Sequence, residues 1–328
     1  MATSYPDRTN ARGIWTLDDI TKNIKTEGTW PNAAAKALVG GGNGLSDVID
    51  QFIISTTGNA TDFGDLTDAR SQLAAIGSNI RAIWAGGLDP SVSNIIDYVS
   101  FATVADAADF GDLSVARNAL AGLSNTVRGI FGAGDNPKQN TIDYITMAST
   151  GNATDFGNRT VTTAKNAATS NSIRGIMAGG HAPGNSDVID YIAINTTGNA
   201  VDFGNLTVAS NTPNGFSSPT RAIITRIGTG DPSVITNVVT IASTGNAAAF
   251  GDLVSGLSTG TAAATSGNTR GIVAGGDNDS GNINVIQYSS LVNASTFIDF
   301  GDLQSVKEDV AGCSNGHGGL DVFDPATR

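Results

Sequence analysis

The sequence predicts an all-β fold, a six-bladed β-propeller built from four-stranded repeats of about 47 residues. Three observations carry that prediction. The first is a phenylalanine that returns as Phe63, Phe110, Phe156, Phe203, Phe250 and Phe300, at spacings of 47, 46, 47, 47 and 50. The second is an arginine on the same ruler, Arg81, Arg128, Arg174, Arg221 and Arg270, each followed by Gly or Ala and then Ile. The third is composition: 15% of residues are charged, 41 of 328 are Gly, and the apolar residues arrive in short bursts such as "VIDQFIIS" and "TIDYITMAS". Bursts of that length, rich in β-branched and aromatic residues and closed by Gly, Asn or Ser, are strands; straight-chain helix formers are scarce.

Each unit reads, in order, as the arginine, an apolar run ending in glycines ("RAIWAGG", "RGIFGAG", "RGIMAGG"), a variable polar loop and an alternating strand such as "NTIDYITMAS". The octapeptide "TGNATDFG" or a close variant follows, then "GDL" and a stretch like "VARNALAGLSN" that leads to the next arginine. The first unit begins at "AKALVGGG" (35–42) and the sixth ends near Asn315. "HGGLDVF" (317–323) stands in register with "RGI" and reads as the start of a further strand. A closed ring needs a closing strand to protect its open edge, from this C-terminal piece or from "ARGIW" at 11–15. Were both ends to combine into a blade, there would be seven. A linear solenoid is the rival architecture, but the sixth unit keeps "GIVAGG", Tyr288 and "FIDFGDL" and so lacks a polar end cap. "TDARSQLAAIGSN" (67–79) contains helix formers, yet it is short and ends in Gly and Ser, and it reads as an outer strand or turn.

The octapeptide reads as a structural corner. Gly58 supplies positive φ, Asn59 can bond nearby backbone, Phe63 packs between sheets and Gly64 permits another tight reversal. Six copies of a catalytic nucleophile are rarely needed, whereas every blade needs the same corner.

The formal charge of −12 and pI near 4.4 argue against nucleic acid or an anionic membrane surface as partner, and no basic cluster offsets them. No stretch approaches eighteen apolar residues and the N-terminus lacks a signal pattern, so the expectation is a soluble protein without membrane insertion, made in a cytoplasm. A single cysteine, Cys313, forms no intrachain disulfide; it aligns with Leu123 of "LAGLSN" and reads as a buried small hydrophobe.

Paired aspartates recur at the octapeptide (Asp62 and Asp65, Asp109 and Asp112, Asp299 and Asp302, with single Asp155, Asp202 and Asp252), but their spacing is not that of a calcium loop and they read as turn-stabilising. The arginine series reads as structural, bonded to carbonyls or aspartates of the adjoining blade. His181 and His317 fall at different phases of the repeat and support neither a zinc site nor a proton-transfer pair. No catalytic, metal or cofactor site is expected, and the protein is expected not to be an enzyme. The remaining enzymatic alternative is a carbohydrate-active propeller using paired carboxylates. The expected functional surface is the variable loops after the glycine pairs: Asp89, Ser91 and Asn94; Asn136 and Lys138; His181 and Asn185; Asp277 and Asn278.

The apolar strand ending in GG, the tyrosines Tyr98, Tyr144, Tyr191 and Tyr288, and the later Arg70 and Arg117 resemble a Kelch-type propeller. The tryptophan of that family's blade is missing, with Phe110 and its equivalents in its place; Val238 replaces the tyrosine in unit five and Gln51 in unit one. The units also resemble repeat proteins of tailed bacteriophages, especially those of marine cyanobacteria, and "TNARGIWTLDDITKNIKTEGTWP" (9–31) is similar to a segment of phage tail-fibre and virion proteins. That resemblance implies a virion structural protein assembled in the host cytoplasm, a tail-associated or fibre adhesin whose polar loops meet the host surface. A capsid decoration protein is the alternative. The expected partners are other virion proteins, a host-surface glycan or protein, and further copies of the chain. Residues 1–34 are read as a separate extension that anchors the chain to the particle or straps the first blade, with Asp18 or Asp19 capping a short helical turn; residues 35–328 form the propeller and its closing segment.

Overall fold

The computed structural model describes residues 35–226, 233–258, 261–278 and 280–320. Its strands form six four-stranded antiparallel sheets arranged around an axis, with one short 3-10 turn, His317–Gly319, among the described residues. The six sheets are the blades, and the fold is a six-bladed β-propeller. The predicted "ARGIW" strand and the cap at Asp18 or Asp19 lie outside the described residues.

The blade is out of phase with the sequence unit by one strand. In blade 3 the strands run outward from the axis as Ala121–Ser124, Arg128–Gly132, Thr141–Thr146 and Thr154–Asn158. The innermost strand is therefore the "LAGLSN" stretch that closes the preceding sequence unit. Applied to 67–79, this corrects the expectation of an outer strand: Ala74–Gly77 is the innermost strand of blade 2. Small residues suit it there, because six inner strands crowd one axis and leave no room for long side chains. The same phase closes the ring. Ala311–Ser314, the end of unit six, pairs with Lys36–Gly40 and becomes the inner strand of blade 1, so no extra strand from 317–323 is required. His317–Gly319 folds instead as the 3-10 turn.

The octapeptide is a clasp with two halves. Its "TGNA" turn docks on the outer strand of the preceding blade: the Gly151 N–H donates to Phe110 O (2.7 Å) and the Ala153 N–H to Asp112 O (2.7 Å), while the Asp112 N–H donates to Asn152 Oδ1 (3.0 Å). Its "DFG" half receives the turn of the following blade. Gly111 lies inside its strand at φ +145°, and a Cβ there would sit 2.6 Å from the carbonyl of Gly151. Gly64 repeats this at φ +143° against Ala105, so it marks a backbone-to-backbone contact within a strand, not the tight reversal expected. The bond runs on around the ring to Gly58 N–H on Phe300 O (2.9 Å), joining blade 1 to blade 6.

Between blades the repeated phenylalanines are all buried. Tyr98, Tyr144, Tyr191 and Tyr288 meet Phe110, Phe156, Phe203 and Phe300 edge to face, with centroids 5.8–6.0 Å apart. The arginines Arg81, Arg128, Arg174 and Arg270 lay their guanidinium over the same tyrosines at 4.4–4.8 Å. With Arg221 they donate to a carbonyl of the next blade: Met147 O, Ile194 O, Ile241 O, Val292 O and Ile54 O in ring order. Lys36 takes the sixth place, donating to Phe101 O (3.1 Å) and sitting over the Phe63 ring, and its partial burial lowers its pKa. The partners are carbonyls and rings, not aspartates.

Four of the blades also bury one ion pair that the sequence reading missed. Arg70 pairs with Asp97, Arg117 with Asp143 (2.9 Å), Arg159 with Asp190 (2.9 Å) and Lys307 with Asp50 (2.7 Å). In blade 5 the acid's place is taken by Asn237 and in blade 6 by Gln287; the cation's places hold Ser210 and Leu257. Acid and base vanish together, as the cost of an uncompensated buried charge requires. In blade 4 the cation has moved: Arg159 stands where other units have leucine, Thr163 stands where blades 2 and 3 draw Arg70 and Arg117, and the Arg159 guanidinium donates to Thr163 Oγ1 (2.5 Å). Burial pushes the Asp97 carboxyl up against the opposing pull of Arg70, and pushes Arg117 and Arg159 down.

Candidate binding face and axial channel

The direction of the strands decides what shares a face. Inner strands start at one end of the axis and finish at the other, and the second strand of each blade runs back. The loops that follow the glycine pairs therefore return to the end where the inner strands begin. Backbone bonds show the proximity: the Leu88 N–H donates to Ser71 O (2.9 Å), Asp135 to Asn118 O (2.8 Å) and His181 to Ala164 O (2.8 Å). Ser71, Asn118 and Ala164 each immediately precede a residue of the channel mouth.

On this face Ser91, Asn136, Lys138 and Asn185 are exposed, and Asp89, Asn94, His181, Asp277 and Asn278 are half-buried. Part of the set is spent on holding the loops. Asn136 Nδ2 donates to Asn118 Oδ1 (3.2 Å), Ser258 Oγ donates to Asp277 Oδ1 (2.8 Å) and the Ser280 N–H donates to Asn278 Oδ1 (3.2 Å). The Lys138 ammonium lies 2.8 Å from His181 Nδ1 and links the loops of blades 3 and 4. Because the ammonium can only donate, His181 accepts at Nδ1 and carries its proton on Nε2.

The opposite end of the axis is plugged. Ser124 Oγ donates to Gly77 O (2.7 Å), Ser170 to Ser124 O (2.7 Å), Ser217 to Ser170 O (2.6 Å), Ser266 to Ser217 O (2.7 Å) and Ser314 to Ser266 O (2.5 Å). This belt satisfies the inner edge of strands that have no further strand to pair with. Gly77 has no hydroxyl to close the circle, and a Cβ there would lie 2.3 Å from Ser314 O. His317 fills the gap, its Nε2 2.8 Å from Gly77 O and 3.1 Å from Ser124 Oγ. Nε2 faces a carbonyl and so bears the proton, and Ser124 donates its own proton to the same carbonyl. The pair therefore cannot act as nucleophile and base in this arrangement. Burial lowers the His317 pKa, and burial pushes the Cys313 thiol far up in the adjacent strand.

On the side of the variable loops the axial channel forms a small cavity of about 80 Å³. Its rim holds, at equivalent positions of blades 1 to 4, Asp309, Gln72, Ala119 and Lys165, all at φ between +53° and +57°. Left-handed backbone is costly for residues with a Cβ and persists only where surrounding structure enforces it. Here the enforcement is a chain of bonds around the rim: Gln72 N–H to Asp309 O (3.0 Å), Ala119 to Gln72 O (2.8 Å), Lys165 to Ala119 O (2.7 Å). Asp309 is also held by Gln72 Nε2 (3.0 Å) and by the N–H (3.1 Å) and hydroxyl of Thr261.

The chain of bonds stops at Lys165. Blade 5 brings Thr212 to the equivalent place, and Lys165, Asn166, Pro213 and Asn214 are among the residues of all six blades that line the channel. Asn166 Oδ1, Asn214 Nδ2 and Thr212 Oγ1 are buried without a hydrogen-bond partner. Sequence reasoning missed this rim, whose position varies from unit to unit as Gln72, Ala119, Lys165, Thr212, Thr261 and Asp309. Among the described residues, no group of three or more His, Cys, Asp or Glu is placed to share a metal ion. The recurring aspartates Asp62, Asp109, Asp155, Asp202 and Asp299 stand exposed on the outer strands, separated blade by blade.

No protein-family model matches the chain, and no curated protein sequence does. Among solved structures, that of YjhT is similar with a TM-score of 0.61 at 9% sequence identity, covering 78% of this chain and 94% of the other. At that identity the likeness speaks for the propeller fold alone.

Proposed function

We propose that the protein is a non-enzymatic recognition propeller, a structural component of a bacteriophage particle whose loop face meets the host surface. One observation carries the reading: the recurring chemistry-bearing side chains are consumed by the scaffold, while unit-to-unit variation concentrates on one face. The buried aspartates hold cations, the arginines hold carbonyls, and His317 holds the plug. What varies, in the loops carrying Ser91, Asn136, Lys138 and Asn185, points to solvent. A scaffold of this kind suits adhesion, because repeated blades hold different loops in a fixed frame.

The two faces also divide the labour the reading requires. Ala35 and Lys36 begin the second strand of blade 1 at the plugged end, so the first 34 residues join the propeller opposite the variable loops. An anchor joined there leaves the loop face outward. The sequence resemblance to phage repeat proteins supports the particle assignment, and the tail is favoured over the capsid because an outward loop face suits attachment. The test is adsorption: purified protein binds susceptible cells, and Asn136→Ala combined with Lys138→Ala and Asn185→Ala weakens that binding. Protein that does not bind, together with normal adsorption by particles lacking it, overturns the adhesin reading. Copies found only at capsid lattice points turn it into decoration.

A further inference from the structure

We propose that Asn43 is a site of spontaneous deamidation, where an amide on the loop face becomes a carboxylate and the link between blade 1 and Glu308 becomes a like-charge contact. Asn–Gly is the dipeptide in which this reaction is least obstructed, because no side chain shields the nitrogen that attacks. The chain has three such pairs, Asn43–Gly44, Asn214–Gly215 and Asn315–Gly316. Their settings differ. Asn214 is 8% exposed and begins the inner strand of blade 5, where Gly215 is paired with Ile224 and the backbone is held extended. Asn315 is 6% exposed, its Oδ1 accepts from the Lys36 N–H (2.8 Å), and the Gly316 N–H donates to Ser314 Oγ (3.3 Å). Asn43 and Gly44 are both exposed in the loop after the glycines of blade 1, and a Cβ at Gly44 would meet nothing within 4 Å.

The turn brings the reacting groups together. The Gly44 N–H donates to Asn43 Oδ1 (2.9 Å), and Cγ is one C=O bond, about 1.2 Å, from that oxygen. With its proton lost to solvent hydroxide, the Gly44 nitrogen attacks Cγ; the bond from Cγ to the amide nitrogen breaks, and ammonia leaves after taking a proton from water. Water then opens the five-membered imide at either carbonyl, giving aspartate or isoaspartate. The net change is one water consumed and one ammonia released. Glu308, on the connection that arrives from blade 6, holds the other end of the amide: Asn43 Nδ2 donates to Glu308 Oε1 (2.9 Å) and the Asn43 N–H to Glu308 O (2.8 Å). The product has no side-chain proton to donate at neutral pH, so a carboxylate faces a carboxylate. Burial already pushes the Glu308 pKa up, and Asp309 and Asp277 add to that shift, so negative charge arrives where it is least tolerated.

The test incubates the full chain at mildly alkaline pH and follows each Asn–Gly peptide by mass spectrometry, with the chain held in guanidinium as the unfolded comparison. In the folded protein Asn43 converts to a mixture of aspartate and isoaspartate while Asn214 and Asn315 lag. Asn214 lags by about a thousandfold or more, since it reacts only through an open fraction of about 10⁻³ or less. In guanidinium all three convert at similar rates. Asn43→Asp, which stands for the product, lowers the melting temperature by roughly 2 °C at neutral pH, and adding Glu308→Gln relieves that loss. An Asn43 that stays intact while the guanidinium sample converts, or three sites that convert in step in the folded chain, overturns the proposal. So does an Asn43→Asp variant that melts as the wild type does, or whose loss Glu308→Gln leaves in place.

Discussion

Removing Arg117 alone should damage the protein more than removing Arg117 and Asp143 together with a neutral replacement. Both side chains are fully buried. Arg117 donates to Asp143 Oδ2 (2.9 Å) and to Phe131 O (3.2 Å), and Ser114 Oγ supplies the carboxylate's other strong bonds at 2.7 and 2.8 Å. Arg117→Ser leaves a buried carboxylate with only the Ser114 donors, at a cost of about 3–5 kcal/mol; Asp143→Asn strands a buried guanidinium at similar cost. The double variant reproduces blade 5, where Ser210 and Asn237 hold these places and Thr207 donates through its N–H (3.0 Å) and hydroxyl (2.7 Å) to Asn237 Oδ1. Ser114 can serve an asparagine at 143 in the same way. What remains is the space left by the arginine stem, about 2 kcal/mol. The singles thus sum to roughly 6–10 kcal/mol, and the double lies some 4 kcal/mol or more below that sum. The assay is urea unfolding followed by the fluorescence of buried Trp84, with melting temperature as a second readout at roughly 2 °C per kcal/mol for a chain of this size. Additive single effects, or an Arg117→Ser variant as stable as wild type, would refute the argument that acid and base disappear together because neither tolerates burial alone.

Two further outcomes follow from the ring. Burial lowers the His317 pKa below the ordinary histidine value of about 6.5, so the unfolded chain binds this proton first on acidification. The contribution is fully present above about pH 6.5 and is lost as pH falls toward the folded value; His317→Gln should flatten that part of the stability profile, and an unchanged profile would show that the plug does not titrate with folding. Gly111→Ala and Gly151→Ala share similar positive φ, +145° and +152°, but only the first places a Cβ against backbone, 2.6 Å from Gly151 O, while the second meets nothing within 4 Å. The first should therefore cost at least about 2 kcal/mol more in denaturant unfolding, since it also pushes the clasp apart; equal losses would reduce the effect to backbone strain.

The repeat and its corner were legible in the linear order of residues because a blade is a local object: its four strands are nearly consecutive, and Phe110, Tyr98 and Arg81 recur at the period that brings each to the same place in its own sheet. The same logic made Gly64, the equivalent of Gly111, visible as a special position but read it as a tight reversal. Its neighbour is the turn of another blade, about forty residues on, and only the docked geometry turns an apparent reversal into a contact between strand and turn. The buried pairs escaped for a related reason. Asp143 sits in an alternating strand where an acid looks exposed, and its partner Arg117 lies on a connection 26 residues earlier that comes inside only when two blades meet.

By itself the amino-acid order determined six equivalent β units, their corner residues and the polar character of their loops, because each follows from local backbone preference and the alternation of buried and exposed side chains. Only the tertiary structure decided the phase of blade against repeat. Ring closure hands the last strand of each unit to the next blade, and that handover pairs Ala311–Ser314 with Lys36–Gly40. The same closure sets His317 into the gap left by Gly77 and gathers the inner strands of all six blades around one channel, since residues from six distant parts of the chain meet at the axis only once the circle is complete.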